Sequence, residues 1–291
     1  MKQQYTTIEK FLRVLMYITF GLVGIIMVYP FYYVIIYAIS DSNAAIAQRV
    51  FLWPVQPTLQ AFKNLLSLNM LWVSYRNSII VTLTGTLIAV AVTATLAYPL
   101  SVKRLRGRKV ISMLLFFTML FNGGMIANYL LIKDLRLLNT FWALILPPCL
   151  NPYNVLILRS FFSGIPGELE ESASIDGATP LKILIRIILP ISLPGLAVQM
   201  MFYGIAYWNS YFDCVLYINS SSLLTLQAYL RTLISNFTAQ VVNDASSLDT
   251  QLSNETIRMA CVAVAVIPVL IIYPALQKYY VKGMVVGSVK G

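Results

Sequence analysis

The sequence is poor in charge. Charged residues make up 11% of its 291 positions, whereas hydrophobic residues make up 58%. An ordinary soluble domain has about 25% charged and about 45–50% apolar residues. A chain of this length with only 21 basic and 11 acidic side chains could not cover an apolar core with a charged surface. The composition therefore excludes an ordinary soluble protein and predicts a surface covered largely by membrane lipid.

The sequence also lacks the residues that most catalytic and metal sites need. It has no histidine, no C-x-x-C pair and only three cysteines, which are Cys149, Cys214 and Cys261. Because each cysteine lies within apolar sequence, we expect buried structural thiols rather than a disulfide or a metal site. No G-x-x-x-x-G-K-[ST] loop is present to hold ATP phosphates. We expect no catalytic residue, no metal and no cofactor bound by this chain.

Long apolar runs are the main feature that is present. A bilayer core about 30 Å thick requires about 20 apolar helical residues, and backbone groups in lipid have no partner outside the helix. An N-terminal signal peptide is the alternative for the first run, but that run exceeds the about 7–15 apolar residues of such peptides. The predicted fold is all-α and integral to the membrane. We place six transmembrane helices at Val14–Ile39, Asn77–Leu100, Val110–Ile132, Thr140–Phe162, Ile187–Tyr217 and Met259–Tyr280.

The basic residues predict the orientation of these helices. With both termini cytoplasmic, the inner segments carry twice as many lysines and arginines as the outer ones, as the positive-inside rule requires. The net charge of +10 is then explained by topology and gives no reason to expect nucleic acid. We expect a cytoplasmic N-terminus at residues 1–13, a six-helix domain at 14–280 and a cytoplasmic tail at 281–291. The inner basic residues are Lys2, Lys10, Arg13, Lys103, Arg104, Arg106, Arg108, Lys109, Arg159, Lys182, Arg186, Lys278, Lys282 and Lys290.

The cytoplasmic segment at about 164–190 carries signals for two helices and a turn. Pro166 suits the start of a helix, and the glutamates that follow complement its dipole. Gly177 permits a sharp turn after Asp176, and Thr179-Pro180 is typical of the start of a second helix. An interfacial membrane anchor is the alternative, but anionic lipids would repel the acidic first half. The pattern favours a helix-turn-helix that contacts a protein.

This segment resembles the "EAA" loop of binding-protein-dependent ABC transporter permeases. That pattern is Glu-Ala-Ala, three residues, Gly, nine residues, Ile, one residue and Leu-Pro. The chain has Glu171-Ser172-Ala173, Gly177, Ile187 and Leu189-Pro190 at every one of these spacings. The single departure is Ser172 in place of an alanine, which keeps the side chain small and adds a hydroxyl. The similarity extends over nearly the whole chain.

The resemblance implies that this is a multi-pass subunit in the bacterial cytoplasmic (inner) membrane, powered by separate subunits. Its partners would be a second homologous permease in a heterodimer, two ATPase subunits that hold ATP and Mg, and an extracytoplasmic solute-binding protein. The tail is similar to permease tails that reach the ATPases, and a frayed basic terminus is the alternative. The implied ATPase contacts are Glu170, Glu171, Ser172, Ala173, Asp176, Gly177, Ala178 and Pro190 in the loop, and Lys290 and Gly291 in the tail.

Other residues resemble the carbohydrate branch of these permeases, in particular the subgroup for polysaccharide fragments. They are Tyr273–Gly283, Gly287–Gly291, Asn122–Ile126 and Trp208–Asp213. The substrate implied is an oligosaccharide. An importer of an amino-acid derivative or a peptide is the alternative within the same superfamily. A secondary transporter or a membrane enzyme is disfavoured, because Asp213 is the only acidic residue deep in an apolar stretch.

Polar and aromatic residues within the predicted spans indicate where an oligosaccharide could pass. On a continuous helix Asn209 and Asp213, four residues apart, would share one face, and the neighbouring aromatic rings could stack on sugars. Alternatively, Asp213 lies at the outer interface or bonds to a neighbouring helix. The candidate pathway residues are Asn122, Asn154, Trp208, Asn209, Tyr211, Phe212 and Asp213.

Overall fold

The computed structural model describes residues 7–47, 49–243 and 255–271, and every regular element in this part of the chain is helical. The helices are α1 Thr7–Ala38, α2 Ser42–Ile46, α3 Gln60–Leu66, α4 Asn69–Ser101, α5 Arg108–Leu120, α6 Gly124–Asp134, α7 Trp142–Ile145, α8 Pro152–Ser163, α9 Gly167–Ile175, α10 Pro180–Ile183, α11 Leu189–Ile191, α12 Leu193–Asn209, α13 Phe212–Tyr217, α14 Leu226–Asn243 and α15 at 255–271. Shorter turns are the 3₁₀ helices Pro147–Cys149 and Ser221–Leu223 and the π-helix Leu184–Ile188.

The described residues form two compact units. The first contains those of 1–68 and 233–266, and the second contains those of 69–232 and 267–291. In the first unit a small core of Ile36, Ala45 and Val50 joins the end of α1 to the segment after it. Asp41 starts α2 by accepting hydrogen bonds from two backbone amides. This unit positions the segment that follows α1.

The second unit is built around α4, which packs against α12 and α8. Its core contains Val155 and Leu158 from α8 and Tyr203 and Tyr207 from α12. Two hydrogen bonds cross this core: the Thr93 and Tyr203 hydroxyls are 2.7 Å apart, and the Tyr207 hydroxyl donates to the Ile145 carbonyl at 2.8 Å. Such bonds fix how α12 lies against α4 and α7, because a buried hydroxyl without a partner is costly.

Two helices in the described ranges are long and apolar enough to cross a bilayer, which are Phe11–Ala38 within α1 and all of α4. Two further pairs pass the same test only if each bent pair is counted as one span. The pair α5 and α6 is bent by 111°, and Pro180–Ile191 and α12 are bent by 87°.

Three of the predicted spans are therefore not single straight helices. Val110–Ile132 breaks after α5, where Gly124 has φ +83°, a conformation that glycine adopts most easily. Thr140–Phe162 is interrupted by Pro147 and Pro148, which lack the amide protons that a helix needs. Ile187–Tyr217 breaks at Ser192 and again after α12, where Ser210 has a non-helical ψ of 89°.

Candidate functional site

The helix α9 begins and ends where the local sequence predicts. Pro166 precedes its first residue, Glu168 and Glu170 lie in its first turn, and Asp176 follows its last residue. The acidic side chains complement the positive end of the helix dipole. No residue of α9 is fully buried. The helix thus presents an acidic surface rather than forming part of the core.

The turn after α9 depends on Gly177, whose φ is +78°. The amide of Gly177 donates to the Ser174 carbonyl at 3.1 Å, and the amide of Ala178 donates to the Ala173 carbonyl at 2.9 Å. The Thr179 hydroxyl then accepts from the Lys182 amide at 3.4 Å and starts α10. The predicted helix-turn-helix is confirmed in its bounds and in its turn.

The two alanines of this loop pack inward. Ala173 and Ala178 are half-buried against the core of the second unit. Ala173 was predicted to contact an ATPase, and here its methyl group contacts the chain's own core. The small side chains therefore let α9 lie close to the bundle. The predicted loop residues that stay exposed are Glu171, Ser172, Asp176, Gly177 and Pro190.

The two central glutamates of α9 differ in their surroundings. The Glu170 carboxylate is 2.8 Å from the Arg104 guanidinium, and its side chain is 18% exposed. Glu171 is exposed and points to no such partner among the described ion pairs. Glu170 therefore ties α9 to the segment after α4, and of the two central glutamates only Glu171 stays available to another protein.

We expect the Arg104–Glu170 ion pair to contribute modestly to stability. The Arg104 side chain is 65% exposed, so water screens the pair, and a double-mutant cycle of Arg104→Gln and Glu170→Gln should give a coupling energy of about 0.2–1 kcal/mol. Thermal unfolding of the purified chain measures it. Glu171→Gln paired with Arg104→Gln is the control and should give no coupling. Equal coupling for both glutamates would contradict the assignment.

The predicted pathway residues do not form one surface. Asn154 and Trp208 are buried, whereas Asn122, Asn209, Tyr211 and Phe212 are exposed. The Asn122 side chain accepts from the Gly124 amide at 3.0 Å and so belongs to the bend before α6. The Trp208 ring packs edge-on against Tyr75 at 5.8 Å. Asn122, Asn154 and Trp208 thus have structural contacts within the chain.

The prediction that Asn209 and Asp213 share a helix face is wrong. Helix α12 ends at Asn209, and Asp213 lies in the first turn of the separate helix α13. The Ser210 hydroxyl donates to the Asp213 carboxylate at 3.1 Å. Asp213 is therefore an acidic residue at the start of a short helix, where the dipole favours it.

Sequence analysis missed the polar side chains that hold α12. The Tyr203 hydroxyl accepts from the Asn151 amide at 3.1 Å, and the Gln199 side-chain amide donates to the Asn154 carbonyl at 3.2 Å. Gln199, Tyr203 and Tyr207 recur every four residues, which is the spacing of one helix face. That spacing in an apolar run was the available signal.

A cavity of about 280 Å³ lies between α4, α12 and the end of α15. Its wall is almost entirely apolar and includes Met200, Gly204 and Trp208. The hydroxyls of Thr82 and Thr86, also in this wall, are buried and have no hydrogen-bond partner among the described residues. The surface of the cavity is thus apolar, and two buried hydroxyls without partners lie behind it.

The remaining predicted contacts lie outside the described residues. These are Lys290 and Gly291 of the tail, together with the segments Tyr273–Gly283 and Gly287–Gly291 that resemble the carbohydrate branch. They stay predictions.

Known proteins are similar to this chain over nearly its whole length. Protein LplC of Bacillus subtilis is 42% identical over 274 residues, which cover 93% of this chain and 92% of that protein. The polygalacturonan/rhamnogalacturonan transport system permease protein YtcP of the same organism is 39% identical over 270 residues, covering 92% and 94%. A chain in the crystal structure of a bacterial ABC transporter involved in the import of the acidic polysaccharide alginate is 30% identical, with a TM-score of 0.84 over 96% of this chain and 100% of that one.

The family match agrees with the loop geometry. The family described as binding-protein-dependent transport system inner membrane component matches residues 4–286. The EAA-type loop predicted from the sequence is formed by α9, Gly177 and α10. The chain is accordingly a transport subunit and not an enzyme. It belongs to the binding-protein-dependent transport system inner membrane component family.

Proposed function

We propose that this chain is one of two permease subunits of an ATP-driven importer that moves an oligosaccharide across the cytoplasmic membrane. The observation that carries the proposal is the exposed helix-turn-helix of α9 and α10, which follows directly from α8 and leads into α12. A helix fixed to the bundle by Glu170, Ala173 and Ala178 and open to solvent at Glu171 and Ser172 is suited to docking.

The proposed topology has six spans with both termini in the cytoplasm. Helices α1 and α4 supply two spans, and the bent pairs α5 with α6 and α10–α11 with α12 supply two more. The fourth is the segment of α7 and α8, and the sixth begins with α15. The broken helices have to be shielded by protein at their breaks, since lipid offers no hydrogen-bond partner there.

Energy for transport comes from two separate ATPase subunits in this proposal. They hold ATP and Mg, and each accepts one permease loop in a surface groove. When the ATPases close on ATP, the loop helix moves with them and shifts the spans as rigid bodies. The second permease subunit completes the pathway, and an extracytoplasmic solute-binding protein delivers the cargo. The tail residues Lys290 and Gly291 provide a second ATPase contact.

An oligosaccharide is the proposed cargo for two reasons. Relatives that cover most of the chain carry names that refer to polygalacturonan/rhamnogalacturonan and to alginate. In addition, the Arg231 guanidinium lies 5.9 Å from the centre of the exposed Tyr211 ring. An aromatic face beside a cation suits a sugar ring that carries a carboxylate. An amino-acid derivative or a peptide is the alternative cargo, and competition of each class against oligosaccharide uptake in membrane vesicles separates them.

Cross-linking from Ser172 tests the docking. We expect a short thiol-to-amine cross-linker to join the cysteine of Ser172→Cys to an ATPase subunit, because Ser172 is exposed on α9. Immunoblotting of the complex in native membranes measures the product, and capture should change when ATP is added.

The natural sequence is the control for that experiment. Its Cys214 and Cys261 are buried and its Cys149 is half-buried, so they should react little. If Ser172→Cys captured no ATPase subunit while uptake remained normal, the docking proposal would be wrong.

A further inference from the structure

A second charged feature lies near α9, and the proposed transport mechanism does not use it. A cavity of about 790 Å³ is formed by the segment between α4 and α5, the start of α5 and one residue of α8. It borders the loop because Lys103 in its wall also lines the cavity beside Glu170 and Glu171. Its size is typical of a small-molecule site, which is about 300–1,000 Å³.

The wall of this cavity carries four cations. They are Lys103, Arg108, Lys109 and Arg159, and no carboxylate lines the cavity with them. Neither of the ion pairs in the described part of the chain involves any of the four. Arg159 is half-buried, and one of its guanidinium nitrogens donates to the Ser112 hydroxyl at 3.1 Å. This bond fixes one cation in the wall of the cavity.

The start of α5 adds a further positive potential. Gly107 precedes the helix with φ +82°, and no side chain caps its first amides. The positive end of a 13-residue helix therefore borders a cavity already lined by cations. Amides and cations at one place favour a phosphate oxygen.

The surface that continues from this cavity is apolar. No residue of α5 is buried, and the helix exposes Val110, Met113, Leu114 and Phe117, each by more than half of its surface. A soluble phosphate would fill the charged cavity and leave these side chains uncovered. A phospholipid would occupy both, with its phosphate among the cations and its acyl chains along α5. The charge and the apolar stripe together favour a lipid.

We propose that this cavity binds the phosphate headgroup of an anionic phospholipid of the phosphatidylglycerol or cardiolipin class. Basic pockets between membrane helices are suited to such headgroups, and each lysine or arginine near an anionic surface contributes about fivefold in affinity. Bound lipid also contacts Lys103, which adjoins Arg104, and Arg104 holds Glu170 of α9. The lipid therefore supports the segment that positions the coupling helix. The proposal requires a membrane location but not a particular cargo or ATPase.

Native mass spectrometry of the full chain, released from nanodiscs of phosphatidylcholine and phosphatidylglycerol, tests the site. We expect the natural chain to retain phosphatidylglycerol in preference to phosphatidylcholine. The triple variant Arg108→Gln, Lys109→Gln, Arg159→Gln should weaken this retention roughly 100-fold. The double variant Arg108→Gln, Lys109→Gln leaves the half-buried Arg159 in place and should still lose roughly 30-fold.

The matched control removes two cations elsewhere in the proposed cytoplasmic surface. Lys182→Gln, Arg186→Gln lowers the charge as much as the double variant and should leave retention unchanged. Equal loss in this control would overturn the site in favour of a diffuse charge effect. Displacement of the lipid by inorganic phosphate would indicate a soluble-anion site. Variants that no longer bind the ATPase subunits but still retain the lipid would show a protein interface. This result and displacement by phosphate would each overturn the proposal.

Discussion

Gly177→Val is expected to separate ATP hydrolysis from uptake. Gly177 has φ +78°, and a left-handed conformation costs a residue with a side chain about 1–2 kcal/mol, with β-branched side chains at the upper end or beyond. The native turn between α9 and α10 should therefore be populated about 5- to 30-fold less, and α9 would no longer hold its position. Uptake in vesicles should fall by at least that factor, while ATP hydrolysis becomes insensitive to the loaded binding protein.

A graded series makes this prediction specific. Gly177→Asn should retain much of the uptake, because asparagine tolerates positive φ better than other side chains. Gly167→Ala, at the start of the same α9, is the matched control, since an added methyl group there would contact nothing within 4 Å. Normal uptake by Gly177→Val would contradict both the turn and its role in docking.

Gly85→Ala is expected to destabilise the bundle itself. A methyl group at Gly85 in α4 would lie 2.7 Å from the Tyr207 ring, which is buried on α12. That ring cannot move freely, because its hydroxyl donates to the Ile145 carbonyl at 2.8 Å. Overpacking of this kind costs about 1–3 kcal/mol, so the melting temperature of the purified chain should fall by roughly 3–10 °C.

Gly204→Ala provides the comparison on the same interface. A methyl group at Gly204 in α12 would meet only the Thr86 hydroxyl at 3.8 Å, which is ordinary contact. We expect its melting temperature to equal that of the natural chain or to exceed it slightly, because alanine favours a helix more than glycine. If the two variants melted alike, the close approach of α4 and α12 at Gly85 would be wrong.

The sequence predicted the loop well because the signals there are local. Pro166, Asp176, Gly177 and Thr179 act on their own neighbours, and the structure places each where those preferences require. The different surroundings of Glu170 and Glu171 could not be predicted, because they depend on Arg104. This residue pairs with Glu170 and is 66 residues from it in sequence. Adjacent glutamates on an exposed helix are equivalent until the neighbouring segment is known.

The spans were predicted less well, since average hydropathy is insensitive to a break in the backbone. The break after α12 at Ser210 has no proline or glycine to indicate it, so Asn209 and Asp213 looked like residues of one helix. Pro147, Pro148, Pro190 and Pro194 were visible in the sequence, but prolines also occur inside continuous membrane helices, as Pro30 does in α1 and Pro99 in α4. Whether a proline breaks or only bends a helix depends on the groups that replace the lost bond.

The lack of buried residues in the most hydrophobic part of α1 affects how the protein is inserted into the membrane. Within Phe11–Ala38 of α1, the most hydrophobic window has a mean hydropathy of 2.2 and contains no buried residue. Such a helix is stabilised by partitioning into lipid, because nearly all of its backbone hydrogen bonds are made within the helix. Helix α12, by contrast, exchanges hydrogen bonds with α4 and with the α7–α8 region. During synthesis α1 can therefore insert into the bilayer independently, whereas α12 reaches its final packed position only after the earlier helices have been inserted.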